Sequence, residues 1–137
     1  MKPIAWTCSI LLATVLAAGC GLGQSSPAAA PTTGEPRIEL VSISPDPPKV
    51  GTLDVTVRVL GSDGQPIDDQ IERVRIVPEM VGMPTHTVEG IFAAQGNGVY
   101  AGQADVSALG GTWQLKVTAE LKNGEKIEQV FEIVVQY

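Results

Sequence analysis

Two methionines and a histidine fall within seven residues, in the stretch Pro78-Glu79-Met80-Val81-Gly82-Met83-Pro84-Thr85-His86. The other methionine is Met1, and His86 is the only histidine in the chain. Thioether sulfur and imidazole nitrogen suit copper, and thioether in particular suits Cu(I). Met80, Met83 and His86 together could make a three-coordinate Cu(I) site, with Glu79 tuning the local charge. On a regular strand, residues three apart point to opposite faces, which would separate the two sulfurs. Gly82 and Pro84 both interrupt a strand, and a bulge or loop there could turn all three donors towards one ion. The competing reading is packing: adaptable methionines filling gaps at a core edge, with His86 solvated.

The elements that must position this window begin with what precedes it. Lys2 supplies a positive n-region, and Ile4 to Ala18 is almost wholly apolar. That run is too short to span a bilayer and has the flanks of a signal peptide rather than a stop-transfer helix. It ends Leu16-Ala17-Ala18-Gly19-Cys20, which resembles the bacterial lipobox, cleaved before a cysteine that carries lipid. The expectation is a signal peptide over 1–19 and a lipidated Cys20 that anchors the chain to a bacterial cell membrane or outer membrane. Two or three acyl chains give stable anchoring where one is marginal. A plain secretory leader with Cys20 as a free thiol is the alternative. Cys8 would leave with the leader and Cys20 would carry lipid, so no disulfide, cysteine zinc site or cysteine nucleophile is expected.

Residues 20–36 read as lipidated cysteine and tether. Gly, Ser, Pro and Ala dominate, and no patterned apolar residues are present to order the segment. Its flexible reach is on the order of 20 Å.

Residues 37–137 form one domain, large enough for a core of its own. The apolar period is two. Leu53, Val55, Val57 and Val59 alternate with Thr52, Asp54, Thr56 and Arg58; Trp113, Leu115, Val117, Ala119 and Leu121 alternate with polar residues. Seven strands are predicted, at roughly 37–44, 52–60, 71–78, 87–95, 98–106, 112–121 and 126–136. Lys122-Asn123-Gly124-Glu125 reads as a two-residue type I′ hairpin. Strands and turns at this spacing predict an all-β, immunoglobulin-like antiparallel sandwich.

Charge excludes some partners. Loss of Lys2 with the leader leaves eight Lys and Arg against fifteen Asp and Glu, a net charge of −7. The charges are mixed along the chain with no basic stripe, so nucleic acid and anionic headgroups are not expected partners. Catalysis has little support. There is no Gly-x-Ser-x-Gly elbow and no phosphate-binding glycine loop. The protein is therefore read as a non-enzyme. Asp63, Asp68 and Asp69 lack EF-hand spacing, and Asp63-Gly64-Gln65-Pro66 is turn chemistry. Tyr100 and Trp113 could wall a ligand, but a Trp opening an alternating strand fits a sandwich core better.

One order of motifs resembles a known family. Asp63-Gly64-Gln65-Pro66-Ile67 leads into Val74-Arg75-Ile76-Val77, then the Met80–His86 window, then Gly98-Val99-Tyr100, then Gly111-Thr112-Trp113-Gln114-Leu115-Lys116-Val117. This order, over Leu53 to Val135, is similar to the YtkA-like domain, a β-sandwich related to the FixH-like proteins. The resemblance implies an extracytoplasmic sandwich linked to copper handling or oxidase assembly. Members often carry a methionine ahead of Gly-x-Trp, whereas Ser107-Ala108-Leu109-Gly110 has none, and their His-rich stretches shrink here to His86. Two functions follow as expectations. One is a lipid-anchored envelope protein that binds Cu(I) weakly for a partner. The other is a metal-free structural or interaction module for another envelope protein.

Overall fold

The computed structural model describes residues 34–83, 87–107 and 109–137. The leader, Cys20 and most of the tether lie outside the described residues, as do Pro84, Thr85 and His86. Among the described residues eight strands form: β1 Arg37–Ser44, β2 Thr52–Leu60, β3 Ile71–Met80, β4 Gly90–Ile91, β5 Ala93–Gly96, β6 Val99–Asp105, β7 Gly111–Leu121 and β8 Lys126–Val135. A 3₁₀ turn, Asp68–Gln70, precedes β3. The strands pair antiparallel in two four-stranded sheets, ordered β1-β2-β6-β5 and β4-β3-β7-β8. The expected antiparallel sandwich is what the chain adopts.

Alternation explains the core. Leu53, Val55, Val57 and Val59 of β2 face Val74 and Ile76 of β3 and Trp113, Leu115, Val117 and Ala119 of β7, all essentially inaccessible. Tyr100, Ala104 and Val106 complete the first sheet's inner face, and Ile133 and Val135 the second's. Each fully buried Val, Leu or Ile contributes about 1.5–3 kcal/mol relative to exposure, so this shared layer is the main stabilising term.

Two details differ from the sequence reading. The segment 87–95 is not one strand. Its first part, β4, pairs with β3 at Arg75 and Ile76, whereas β5 pairs with β6 in the other sheet. The chain changes sheets at Phe92, whose side chain is buried between them and whose N–H donates to Val74 O at 2.9 Å. Two glycines allow the crossing. A Cβ at Gly90 would strike the Gln103 carbonyl oxygen, and one at Gly102 would lie 2.9 Å from the Phe92 ring.

The type I′ hairpin also lies elsewhere than expected. Asn97 and Gly98 both have positive φ (54° and 75°) and join paired Gly96 and Val99, which is the type I′ signature. At Lys122-Asn123-Gly124 only Gly124 is positive, at 90°. There Gly124 N–H donates to Leu121 O and Leu121 N–H donates to Glu125 O. That is a three-residue loop closed by a left-handed glycine, not the expected two-residue turn. Asn123 Oδ1 accepts from Glu125 N–H at 2.9 Å, which holds Asn123 in its turn conformation.

The outer face of the second sheet is a charge ladder. Glu120 accepts from Arg73 at 2.6 Å, and Arg75 and Lys126 approach it at 3.4 and 3.7 Å. The hydrogen bond from Arg73, with the charges of Arg73, Arg75 and Lys126, holds the Glu120 carboxyl below the usual range despite an opposing desolvation effect.

Candidate metal-binding turn

The methionine window begins where β3 runs out of partners. β4 reaches only Arg75 and Ile76, so by Pro78 the strand is flanked on one side alone. A proline, lacking an N–H, is tolerated there as on any edge. β3 continues two residues further than expected, and Met80 pairs with Trp113. Val81 N–H donates to Thr112 O at 3.0 Å, and Met83 N–H donates to Met80 O at 3.3 Å. Gly82 sits at φ 80°. This is a four-residue turn with glycine at its third position, the place where positive φ is required. The expected strand interruption is therefore a tight turn, and it brings the backbones of Met80 and Met83 together.

Their side chains have different surroundings. Met80 is half-buried and packs against the core; its methyl lies where a Cβ on Gly111 would come within 3.0 Å. Met83 is 50% exposed, beside Val81 at 49%. Glu79 is exposed and pairs across the ladder with Gln114. The third expected donor, His86, lies outside the described residues. Among the described residues no group of three or more His, Cys, Asp and Glu side chains could hold a metal. A site here would rest on the two thioethers and whatever His86 adds, a soft donor set that fits Cu(I).

The other candidates resolve into structure. Trp113 is 1% exposed, and its Nε1–H donates to Leu109 O at 3.0 Å. Tyr100 is buried on the inner face of β6, and burial, aided by the Asp68 carboxylate, pushes its phenol well above the ordinary value. Both aromatics are core rather than ligand wall. Asp63 Oδ1 accepts from Gln65 N–H, closing a turn. Asp68 Oδ2 accepts from Gly98 N–H at 2.7 Å, which ties the 3₁₀ turn to the β5–β6 hairpin. Asp69 O accepts from Lys122 Nζ. Sequence reasoning missed this use of Asp68, because its partner is thirty residues away and no local pattern links them.

The turn also has a defined place in the molecule. Met80, Gly111, Val135 and the Lys49–Gln136 bridge share one end of the sandwich. The chain enters at the other end, where Glu35 and Pro36 line a shallow groove with Leu121, Lys126, Ile127 and Glu128. The ten-residue β3 connects the two ends, so the turn stands roughly 30 Å from the point of entry.

The family model described as YtkA-like matches residues 34–118, more than half of the chain. The chain belongs to the YtkA-like family. The match takes in β1 to β6, the methionine turn and most of β7, so the turn is part of the YtkA-like domain itself. No curated protein matches the chain. Among solved structures, it is similar to part of the chitinase ChiW from Paenibacillus sp. str. FPU-7, a cell-surface-expressed multi-modular enzyme. That likeness has 15% identity and a TM-score of 0.43, and covers 82% of this chain but 9% of the other. It carries no argument about function.

Proposed function

We propose that this YtkA-like protein is an extracytoplasmic lipoprotein, held to a bacterial membrane through Cys20, that binds Cu(I) weakly and exchangeably. Met80 and Met83 would supply thioether ligands and His86 an imidazole nitrogen. Such an ion would be passed to or received from an envelope partner in oxidase assembly or metal homeostasis. The observation that carries this reading is the Met80–Met83 turn, in which Gly82 lets two soft donors occupy the first and last positions of one tight bend. Its placement at the end of the sandwich away from the chain's entry suits exchange with a partner reaching in from solvent. The half-buried Met80 and exposed Met83 favour an open site rather than a closed store. No catalytic step is assigned.

The test is a Cu(I) titration against a competing chelator, using the chain without Cys20 and a Met80→Leu/Met83→Leu/His86→Ala variant. Saturable one-to-one binding by the first and at least tenfold weaker binding by the second is expected. Equal binding by both would remove copper and leave a metal-free interaction module. Separately, Cys20→Ser should move the protein from the membrane fraction to the soluble one.

A further inference from the structure

Among the described residues, four strands lie at sheet edges, β1, β5, β4 and β8, and β3 is open on one side beyond the two residues of β4, where it carries Pro78. Exposed edges invite pairing with other chains, and proteins usually blunt them with bulges, prolines or shortness. Three of these edges are blunted. β1 has a register break between Leu40 and Ser42 and runs into Pro45, Pro47 and Pro48. β5 is four residues long with a break between Ala94 and Gly96, and β4 is two residues long.

β8 has none of these devices. It runs ten residues, Lys126–Val135, in unbroken register with β7. It contains neither proline nor glycine, and six of its residues are Ile, Val or Phe, which favour strands. The chain already pairs with this side once. Just past the end of β8, Val50 N–H donates to Gln136 O at 2.7 Å and Gln136 N–H donates to Pro48 O at 2.8 Å, a parallel bridge. The pairing goes no further, so the rest of the edge is unpaired among the described residues.

The outward side chains say what would fit. Glu128, Val130, Glu132 and Val134 alternate on the outer face, with Val130 46% and Val134 63% exposed. Glu125 adds a further acid at the hairpin, against Lys126. A second copy fits poorly. In antiparallel self-pairing, a register centred on Val130 sets Glu128 against Glu132, and one centred on Glu132 sets that residue against itself. Like charges directly opposite are destabilising, and the remaining register that matches valine with valine, centred on Val134, runs into Gln136, which is already bridged to Lys49. A strand carrying Lys or Arg opposite the glutamates and β-branched residues opposite the valines satisfies both sets.

We propose that β8 is a docking edge for an extended segment of a partner protein that adds a fifth strand to this sheet, with basic and β-branched residues alternating on its outward face. Main-chain hydrogen bonds would supply the affinity and the Glu-Val alternation the specificity. The β8 edge shares no residue with the methionine turn, so a failed copper titration leaves the docking edge standing.

The probe is a cyclic β-hairpin peptide whose display strand reads Lys-Thr-Val-Thr-Lys-Thr-Val-Thr, preorganised to lower the ordering cost. A matched peptide replaces both lysines with glutamate. Amide hydrogen exchange of the full chain in detergent is followed with each. The basic peptide should slow exchange within 126–135 at least threefold and bind at least fivefold more tightly than the acidic one. In Glu128→Lys/Glu132→Lys, both exposed positions, the preference should reverse. Protection of another edge, equal binding of both peptides, or no protection of β8 would overturn the proposal. So would concentration-dependent self-association that protects β8 without peptide, since a second copy would then be the occupant.

Discussion

Gly90→Ala tests the sheet crossing directly. Gly90 does not have a left-handed φ, so alanine is not excluded by backbone conformation. The obstacle is contact: the new Cβ would strike Gln103 O and lie 2.9 Å from Ile76 Cγ2. Because the first of these is a backbone atom of β6, no rotamer change relieves it; β4 and β6 must part. Overpacking of this kind costs about 1–3 kcal/mol, and the fixed backbone partner argues for the upper end, about 3 kcal/mol. For a domain of this size each kcal/mol lowers Tm by roughly 4–8 °C, so a fall of about 12–24 °C is expected. Thermal and urea unfolding would be followed by Trp113 fluorescence, since the other tryptophan, Trp6, precedes the domain. Gly124→Ala is the control. Its φ of 90° is strained for alanine, but no heavy atom lies within 4 Å of the new Cβ, so about 1–2 kcal/mol is expected from conformation alone. A Gly90→Ala cost below about 0.5 kcal/mol, within the range of an ordinary surface change, would refute the close approach of β4 to β6 and with it the crossing at Phe92.

Three further outcomes follow. Trp113→Phe loses the hydrogen bond to Leu109 O and leaves space in the core, and chemical denaturation should show a loss of about 1–3 kcal/mol. Glu120→Gln should flatten the acid limb of the stability–pH profile. A carboxyl held below its unfolded value contributes stability above the unfolded pKa, and that contribution is lost as pH falls through the folded one, so the wild type should destabilise more steeply in that window than the variant. Gly82→Ala should cost about 1–2 kcal/mol through its φ of 80° alone, since nothing lies within 4 Å of the new Cβ. On the copper reading, the same change should also weaken Cu(I) binding in the chelator competition.

The sandwich was legible because burial on one face writes itself into a period of two. Leu53 to Val59 and Trp113 to Leu121 carry that period without interruption, and both became central strands. The interruption at Gly82 was legible too, since glycine after a strand marks a turn. Its form was not, because the hydrogen bond that closes it ties Met83 back to Met80 while Val81 is held by Thr112 from another strand. Segment 87–95 misled for a related reason. Alternation reports which face a residue buries, not which sheet it joins, and Phe92 buries its ring equally well at a crossing. The type I′ turn formed at Asn97–Gly98 rather than Asn123–Gly124 although both carry Asn-Gly. A two-residue loop requires the flanking residues to pair, as Gly96 and Val99 do, whereas Leu121 bonds to Glu125 and leaves three residues in the loop.

The sequence by itself determined the β class, the strands that fill the core, the inward place of Trp113 and Tyr100, and membership of a family recognised by the order of its motifs. These rest on local periodicity and residue type, which any one segment carries alone. Tertiary structure decided which edges are blunted, that among the described residues β8 alone presents a long unbroken one, that Glu120 gathers three cations, and that Met80 and Met83 share a turn while facing different surroundings. Each of these depends on what lies across the sheet or beyond its end. Contacts between residues tens of positions apart exist only once the register is set, and no single strand encodes its own neighbour.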